Sequence, residues 1–322
     1  MKLENIGFYT LSEVRARSCR LPHHPLWRAE LLVTARCNFK CPYCRGTDMP
    51  HDIAFEKAEK IISTWGNLGL RNIRFSGGEP TLHPDLSVFC RCSKAVGIER
   101  IAISTNGTAD LKTYMYLVNA GANDFSISLD ACCSASGEKM AGVPGKWEQV
   151  ISNIAWLSKK VYTTVGIVVT PDNISEVRKT IVLADRLGVA DIRVIPAAQC
   201  AEHLVLEREL PRSILNKHPI LAYRMNNMAA RRPVRGIPSG GERRCHLVMD
   251  DMAVMNDEHY PCIIYLREKG KPIGKVGHNM MSQRVKWSMQ HDCSQDPICK
   301  KNCLDVCVKY NERAAYYAAG GK

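Results

Sequence analysis

Ala29-Glu-Leu-Leu-Val-Thr-Ala35 runs directly into Arg36-Cys37-Asn38-Phe39-Lys40-Cys41-Pro42-Tyr43-Cys44. The first run is short and apolar enough for a buried strand. The second places three thiols in one loop, spaced C-x3-C-x2-C. Working outward, similar strand candidates recur at Asn72–Ser76, Arg100–Ser104, Asp124–Leu129, Tyr162–Thr170 and Asp191–Pro196. Amphipathic helical stretches such as Phe55–Leu68 and Ile174–Leu187 fall between them. Helices close near Gly69, Gly97, Gly121 and Gly188, the usual stop chemistry. Six β-then-α units predict an α/β fold with a parallel sheet wound one way. Six fall short of a full eightfold barrel, so a partial (β/α)6 barrel open on one side is predicted. Ligands then belong beyond the strand C-termini.

Composition narrows the class. The chain has 322 residues, 45% hydrophobic and 24% charged, which excludes disorder as the main theme. No run of about 18 apolar residues predicts a membrane span. The N-terminus has no apolar signal region, so a cytoplasmic protein, of a bacterium or of a phage-infected host, is the expectation. Fifteen cysteines are many for such a chain. In a reducing compartment they point to metal or chemistry rather than disulfides.

Structural zinc wants four closed ligands, whereas this loop supplies three. Three thiolates on a four-iron cluster leave one iron open; a zinc loop borrowing a distant ligand is the alternative. The second strand ends in Phe75-Ser76-Gly77-Gly78-Glu79-Pro80, where two glycines let the backbone approach a ligand closely. Together the cysteine loop, with Tyr43 before its last thiol, and the Gly-Gly-Glu run resemble the radical SAM superfamily over about residues 30–200. The resemblance implies a 4Fe–4S cluster on Cys37, Cys41 and Cys44 and S-adenosylmethionine (SAM) bound to it. Gly77, Gly78 and Glu79 would meet the methionyl amino group. Ser104, Asn106, Ser128 and Asp130 would reach the carboxylate and ribose; polar loop or cap residues are the plainer alternative. Gly166–Val169 and Ile195–Pro196 resemble adenine-lining segments. The family's chemistry would also need an electron donor such as flavodoxin or ferredoxin.

The tail, residues 245–322, holds six of the cysteines. Cys245 and Cys262 bracket a predicted hairpin. Cys293, Cys299, Cys303 and Cys307 follow, with Asp296-Pro297 as a helix start. Cys299, Cys303 and Cys307, four residues apart, are expected along one helix face. This pattern resembles the SPASM or shorter twitch extension, which holds auxiliary clusters, although Gln290 stands where the full pattern has another cysteine. One auxiliary 4Fe–4S cluster is expected, on Cys245, Cys262 and Cys303 with Cys293, Cys299 or Cys307, in a small α+β domain. A zinc knot is the alternative. The expected organisation is a basic N-terminal segment (1–28), a barrel (29–210), a linker (211–244) and the cluster domain (245–322).

Other signals are weaker. Cys132 and Cys133 follow Asp130 and are expected to face the reaction, where a thiol could return hydrogen to a product radical; buried packing is the alternative. Cys19, Cys90, Cys92 and Cys200 read as core or surface. The histidines show no paired spacing, so no histidine metal site is expected; His83 and His291 could meet substrate. The net charge is +12, partly from Arg15, Arg17, Arg20 and Arg28, from Arg231, Arg232, Arg235, Arg243 and Arg244, and from Lys269, Lys271 and Lys275. Such stretches suit phosphate, or form a solvated basic surface. The short segment before the barrel and the basic balance favour DNA or a modified nucleotide as partner. The whole chain resembles phage radical SAM proteins of DNA thymine hypermodification, which implies an isomerase acting on a glycyl-substituted thymine. A peptide-modifying enzyme forming thioethers, epimers or dehydro residues is one rival. A non-catalytic, metal-stabilised nucleic-acid binder is the other.

Overall fold

The computed structural model describes residues 9–18, 26–199 and 210–321; Cys19, Arg20 and Cys200 lie outside them. Helix α1 (Glu13–Ser18) precedes strand β1 (Arg28–Thr34). Then follow α2 (Phe55–Asn67), β2 (Asn72–Gly77), α3 (Leu86–Ala95), β3 (Arg100–Thr105), α4 (Leu111–Asn119) and β4 (Asp124–Ser128). After these come α5 (Ser134–Ala141), α6 (Trp147–Leu157), β5 (Tyr162–Val169), α7 (Val177–Arg186) and β6 (Asp191–Pro196). β1 to β6 pair in sequence order, all parallel, and β6 does not return to β1. This is the partial (β/α)6 barrel.

Alternation along the strands decides which face does what. Leu31, Val33, Phe75, Ile103, Phe125 and Val194 point to the helices and form the main core. Each helix adds a stripe, as α2 does with Ala58, Ile61, Ile62 and Trp65. The opposite strand face is polar although it too is covered. Arg28 donates to Glu30 (2.8 Å), Ser76 to Glu30 (2.7 Å), Arg74 to Ser104 (2.7 Å) and Arg100 to Asp124 (2.9 Å). Charges withdrawn from water persist only when paired in this way. The inner face is therefore a bonded polar floor, and the hollow above it opens at the strand C-termini.

The sheet does not stop at the expected linker. Helices α8 (Arg212–Lys217) and α9 (Pro219–Ala229) lead to a hairpin of β7 (Asp251–Met255) and β8 (Glu258–Tyr260). β7 pairs parallel with β1, on the edge that an open barrel leaves free, and the short β9 (Gly274–Lys275) pairs with β8. Helices α10 (Ile263–Arg267), α11 (Met280–Gln290), α12 (Pro297–Asn302) and α13 (Asp305–Ala318) complete the chain. Arg284 of α11 is fully buried and donates to carbonyls of Val248, Asp251, Tyr260 and Pro261, clamping the hairpin. No helix among the described residues is long and apolar enough to cross a membrane.

Asp250 ties the two chain ends to the sheet. Its carboxylate accepts from Arg15 of α1 (2.8 Å) and from Tyr310 of α13, and its carbonyl accepts from the N–H of Arg28 (2.8 Å). Asp250 and Arg15 are both buried. Asp250→Ala strips a buried guanidinium of its counter-charge and should cost about 3–5 kcal/mol. A urea titration reads this as a lower midpoint at unchanged slope; a wild-type midpoint would show that the knot does not hold the ends.

Candidate active site

The cysteine loop leaves β1 and crosses over the end of β2 at van der Waals limits. The N–H of Gly78 donates to the carbonyl of Thr34 (2.8 Å), and that of Glu79 to the carbonyl of Arg36 (2.8 Å). A Cβ on Gly77, whose φ is +142°, would stand 2.1 Å from the Thr34 oxygen. One on Gly78 would stand 2.2 Å from the Arg36 oxygen. Backbone approaches backbone here, so the first reason for the glycines is chain crossing rather than ligand approach.

Glu79 belongs to the same crossing. It is fully buried and does not line the cavity. Its carboxylate accepts from the Thr81 N–H (3.0 Å) and hydroxyl (2.6 Å), from the Thr105 hydroxyl (2.8 Å) and from the Asn106 N–H (2.6 Å). Burial nonetheless holds its carboxyl above the usual range. Asn106 then donates through its amide to Asn38 (2.7 Å), inside the cysteine loop. Glu79 thus positions the loop through the end of β3.

A cavity of about 370 Å³ lies above the polar floor. Cys37, Cys41, Tyr43, Cys44, Gly77, Gly78, Ser104, Asn106, Ser128 and Asp130 line it. Gly166, Ile167, Val168 and Ile195 line it too, whereas Val169 and Pro196 do not. Asp130 receives the Tyr43 hydroxyl and the Val168 N–H (2.5 Å), fixing three strand-end segments together. Burial raises its carboxyl to about 6, against those two bonds. The same burial raises the thiols of Cys37 and Cys41, the latter to about 11, and the nearby thiols add to it.

Among the described residues the lining holds three thiols, no fourth cysteine and no histidine. That donor set fits an iron–sulfur cluster with one metal open to a small ligand, not a closed tetrahedral zinc. Arg267 also lines the cavity and was not singled out from sequence. It donates to the carbonyls of Gly46 (3.0 Å) and Gly77 (2.9 Å), tying α10 to the cysteine loop and the glycine turn.

The tail thiols converge, by a route different from the expected one. Asp296 caps α12 through the N–H groups of Ile298 (2.9 Å) and Cys299 (2.8 Å). Cys303 then leaves the helix with extended backbone (φ −57°, ψ 132°), because its carbonyl is taken by Gly236 and the Asp305 N–H turns to Val234. Cys299, Cys303 and Cys307 therefore do not share one helix face. Cys245 faces Cys293, Cys293 faces Cys299 and Cys303 faces Cys307, with Cys262 in electrostatic reach of Cys245 and Cys307. The six soft donors fit an auxiliary cluster. His291 lies with Cys293 and Cys299, all ligand atoms within 4.8 Å of one another. The histidines have no paired spacing, and so no histidine metal site was expected; the His291-x-Cys293 spacing is what brings this histidine beside the thiols.

Other expectations move outward. Cys132 and Cys133 do not line the cavity: β4 ends at Ser128, and the chain has turned away by Cys133, directly before α5. His83 is buried against Phe89, with Nε2 3.0 Å from the Ile53 carbonyl oxygen, and is structural. Arg15 serves a buried ion pair and Arg28 a half-buried one, and Arg235 donates to the Pro196 carbonyl (3.3 Å), so none of the three is a free surface cation.

Residues 31–184 match the family model described as the radical SAM superfamily. The chain carries a radical SAM domain. A GTP 3',8-cyclase of Xanthomonas axonopodis pv. citri is 34% identical over 141 residues, 41% of this chain and 42% of that protein. An AdoMet-dependent heme synthase of Methanosarcina barkeri is 28% identical over 168 residues, 50% of this chain and 48% of that protein. The chain thus matches less than half the length of these curated relatives. The fold likeness extends further. The structure of anSMEcpe with bound AdoMet and the Cp18Cys peptide covers 92% of this chain and 98% of its own at TM-score 0.59 and 16% identity. Streptococcus suis SuiB bound to precursor peptide SuiA covers 85% and 65% at TM-score 0.59 and 15% identity. The radical SAM family uses SAM on a 4Fe–4S cluster, which agrees with the three-thiol donor set.

Gly78→Ala tests the crossing. The added methyl cannot fit without moving the carbonyl of Arg36, next to Cys37. The variant should keep wild-type circular dichroism yet weaken SAM by about tenfold or more, ~1.4 kcal/mol, and retain less iron. Unchanged iron and SAM affinity would make the close approach incidental.

Proposed function

We propose that this chain is a radical SAM enzyme that removes hydrogen from an unactivated C–H bond of its substrate. The observation that carries it is the single cavity onto which Cys37, Cys41, Cys44, the Gly77-Gly78 turn and the polar strand ends all open. When bound, the cluster supplies one electron to SAM, which yields a 5'-deoxyadenosyl radical. The three thiols hold the cluster, and Gly77, Gly78, Ser104, Asn106, Ser128 and Asp130 orient SAM. Tyr43 closes over the Asp130 carboxylate, while Ile167, Val168 and Ile195 give the adenine an apolar wall and keep water out. Cys245, Cys262 and Cys303, with one of Cys293, Cys299 or Cys307, hold the auxiliary cluster. Cys44→Ala should abolish 5'-deoxyadenosine formation while the protein still folds. Wild-type formation in that variant would overturn the assignment, and absence of formation by the iron-loaded wild type would favour the non-catalytic binder.

For substrate, the reading is glycyl-substituted thymine in DNA, isomerised at the thymine 5-methylene. Hydrogen leaves the amino-acid α-carbon, the methylene bond moves from nitrogen to that carbon, and a hydrogen ends on nitrogen. Net redox change is zero. Support comes from the +12 charge and from the exposed Arg231, Arg232, Arg243 and Arg244. Lys269 and Lys275 pair with Asp48 and Asp257 and contribute less. A base stacked inside a duplex cannot reach the floor of a recessed cavity, so the target is flipped out or unpaired. Mass spectrometry of nucleosides, after incubating enzyme, SAM and reductant with such DNA, should show an isomer of unchanged mass and new retention. Binding should weaken steeply with salt. An unchanged profile alongside modification of a peptide would replace this reading with the peptide rival.

A further inference from the structure

Cys132 and Cys133 were singled out by the sequence and left unused by the cavity. They follow Asp130 beyond the end of β4, and Cys133 is the extended cap residue directly before α5. Across from them Glu176 precedes α7. The Sγ of Cys132 lies 3.7 Å from Oε2 of Glu176. The ligand atoms of Cys132, Cys133 and Glu176 all fall within 4.8 Å of one another. Cys133 is exposed and the other two are half-buried, so the cluster is reachable from solvent.

We propose that Cys132, Cys133 and Glu176 form a separate binding site for one thiophilic divalent cation of the zinc class. Two thiolates and a carboxylate are borderline-soft donors of the kind zinc takes, and surface access leaves the fourth position to water. The separations need only small side-chain rotations to reach tetrahedral spacing, because Zn–S bonds are about 2.3 Å long. Charge also fits. Three anionic ligands around a dication leave one negative charge, and Arg178 and Lys179 line the shallow groove that Cys132 borders. The ligands come from segments already held together: the Asn173 amide donates to the carbonyls of Asp130 (2.8 Å) and Val168 (2.8 Å). An ion would therefore pin the exit of β4 to the start of α7, directly behind Asp130. The site shares no ligand with either iron-binding set and does not depend on the proposed reaction.

The test uses full-length protein with both cluster sites filled with iron anaerobically, then equilibrated with Zn²⁺ and desalted. About one zinc per chain should remain on the wild type. Cys132→Ser with Cys133→Ser should lose it, and Glu176→Gln should weaken affinity about tenfold or more, ~1.4 kcal/mol. Iron content and 5'-deoxyadenosine formation should be unchanged in Cys132→Ser. In parallel, Zn²⁺ should protect Cys132 and Cys133 from alkylation mapped by mass spectrometry. Equal zinc on wild type and double variant, or no protection, would overturn the site. A Cys132–Cys133 disulfide formed under anaerobic, reducing conditions would overturn it as well.

Discussion

The crossing of the β1 exit over the Gly77-Gly78 turn is the contact on which the site depends. Peptide groups meet there at 2.8 Å, with no room for a Cβ on either glycine. Because the crossing is made of backbone, it fixes where the cysteine loop starts, and side-chain motion cannot relax it. Glu79 carries the constraint onward by four hydrogen bonds to Thr81, Thr105 and Asn106, and Asn106 returns it to Asn38. Arg267 closes the circuit from the far side, bonding the carbonyls of Gly46 and Gly77. Three thiols on a loop would otherwise lack the fixed geometry that a metal site needs.

The C-terminal part belongs to the same construction. β7 pairs with β1, so the strand that launches the cysteine loop is hydrogen-bonded on both edges. α10 begins directly after Cys262 and ends at Arg267. One short helix thus connects a tail thiol to the loop of Cys37, Cys41 and Cys44, and the Arg45–Glu268 ion pair reinforces the joint.

Much of this was legible in the sequence. Strand limits agree to within a residue or so, because period, length and glycine stops all pointed the same way; Gly69, Gly97, Gly121 and Gly188 do have positive φ. The hairpin between Cys245 and Cys262 and the Asp296 cap were legible for the same local reason. What failed was long-range. The Cys299–Cys303–Cys307 spacing suggests one helix, but Gly236 and Val234, some 70 residues away, capture the backbone and break it. Arg15 and Arg28 look like surface cations until Asp250, Glu30 and Asp251 are folded against them. The burial of Glu79 and its bonds to Thr81, Thr105 and Asn106 cannot be read from a motif. The polar floor went unread: Arg28, Glu30, Arg74, Ser76, Asp124 and Arg193 alternate with apolar neighbours, a pattern that ordinarily marks a solvated face.

The central claim is that Cys37, Cys41 and Cys44 hold a cluster with one metal left open for SAM. Hyperfine spectroscopy of the reduced, iron-loaded protein, with SAM labelled isotopically at its amino nitrogen, tests it directly. The account predicts coupling between the cluster spin and that nitrogen, lost when all three cysteines are replaced by Ala while the tail iron remains. A spectrum identical with and without SAM, or coupling that survives the triple replacement, would contradict it.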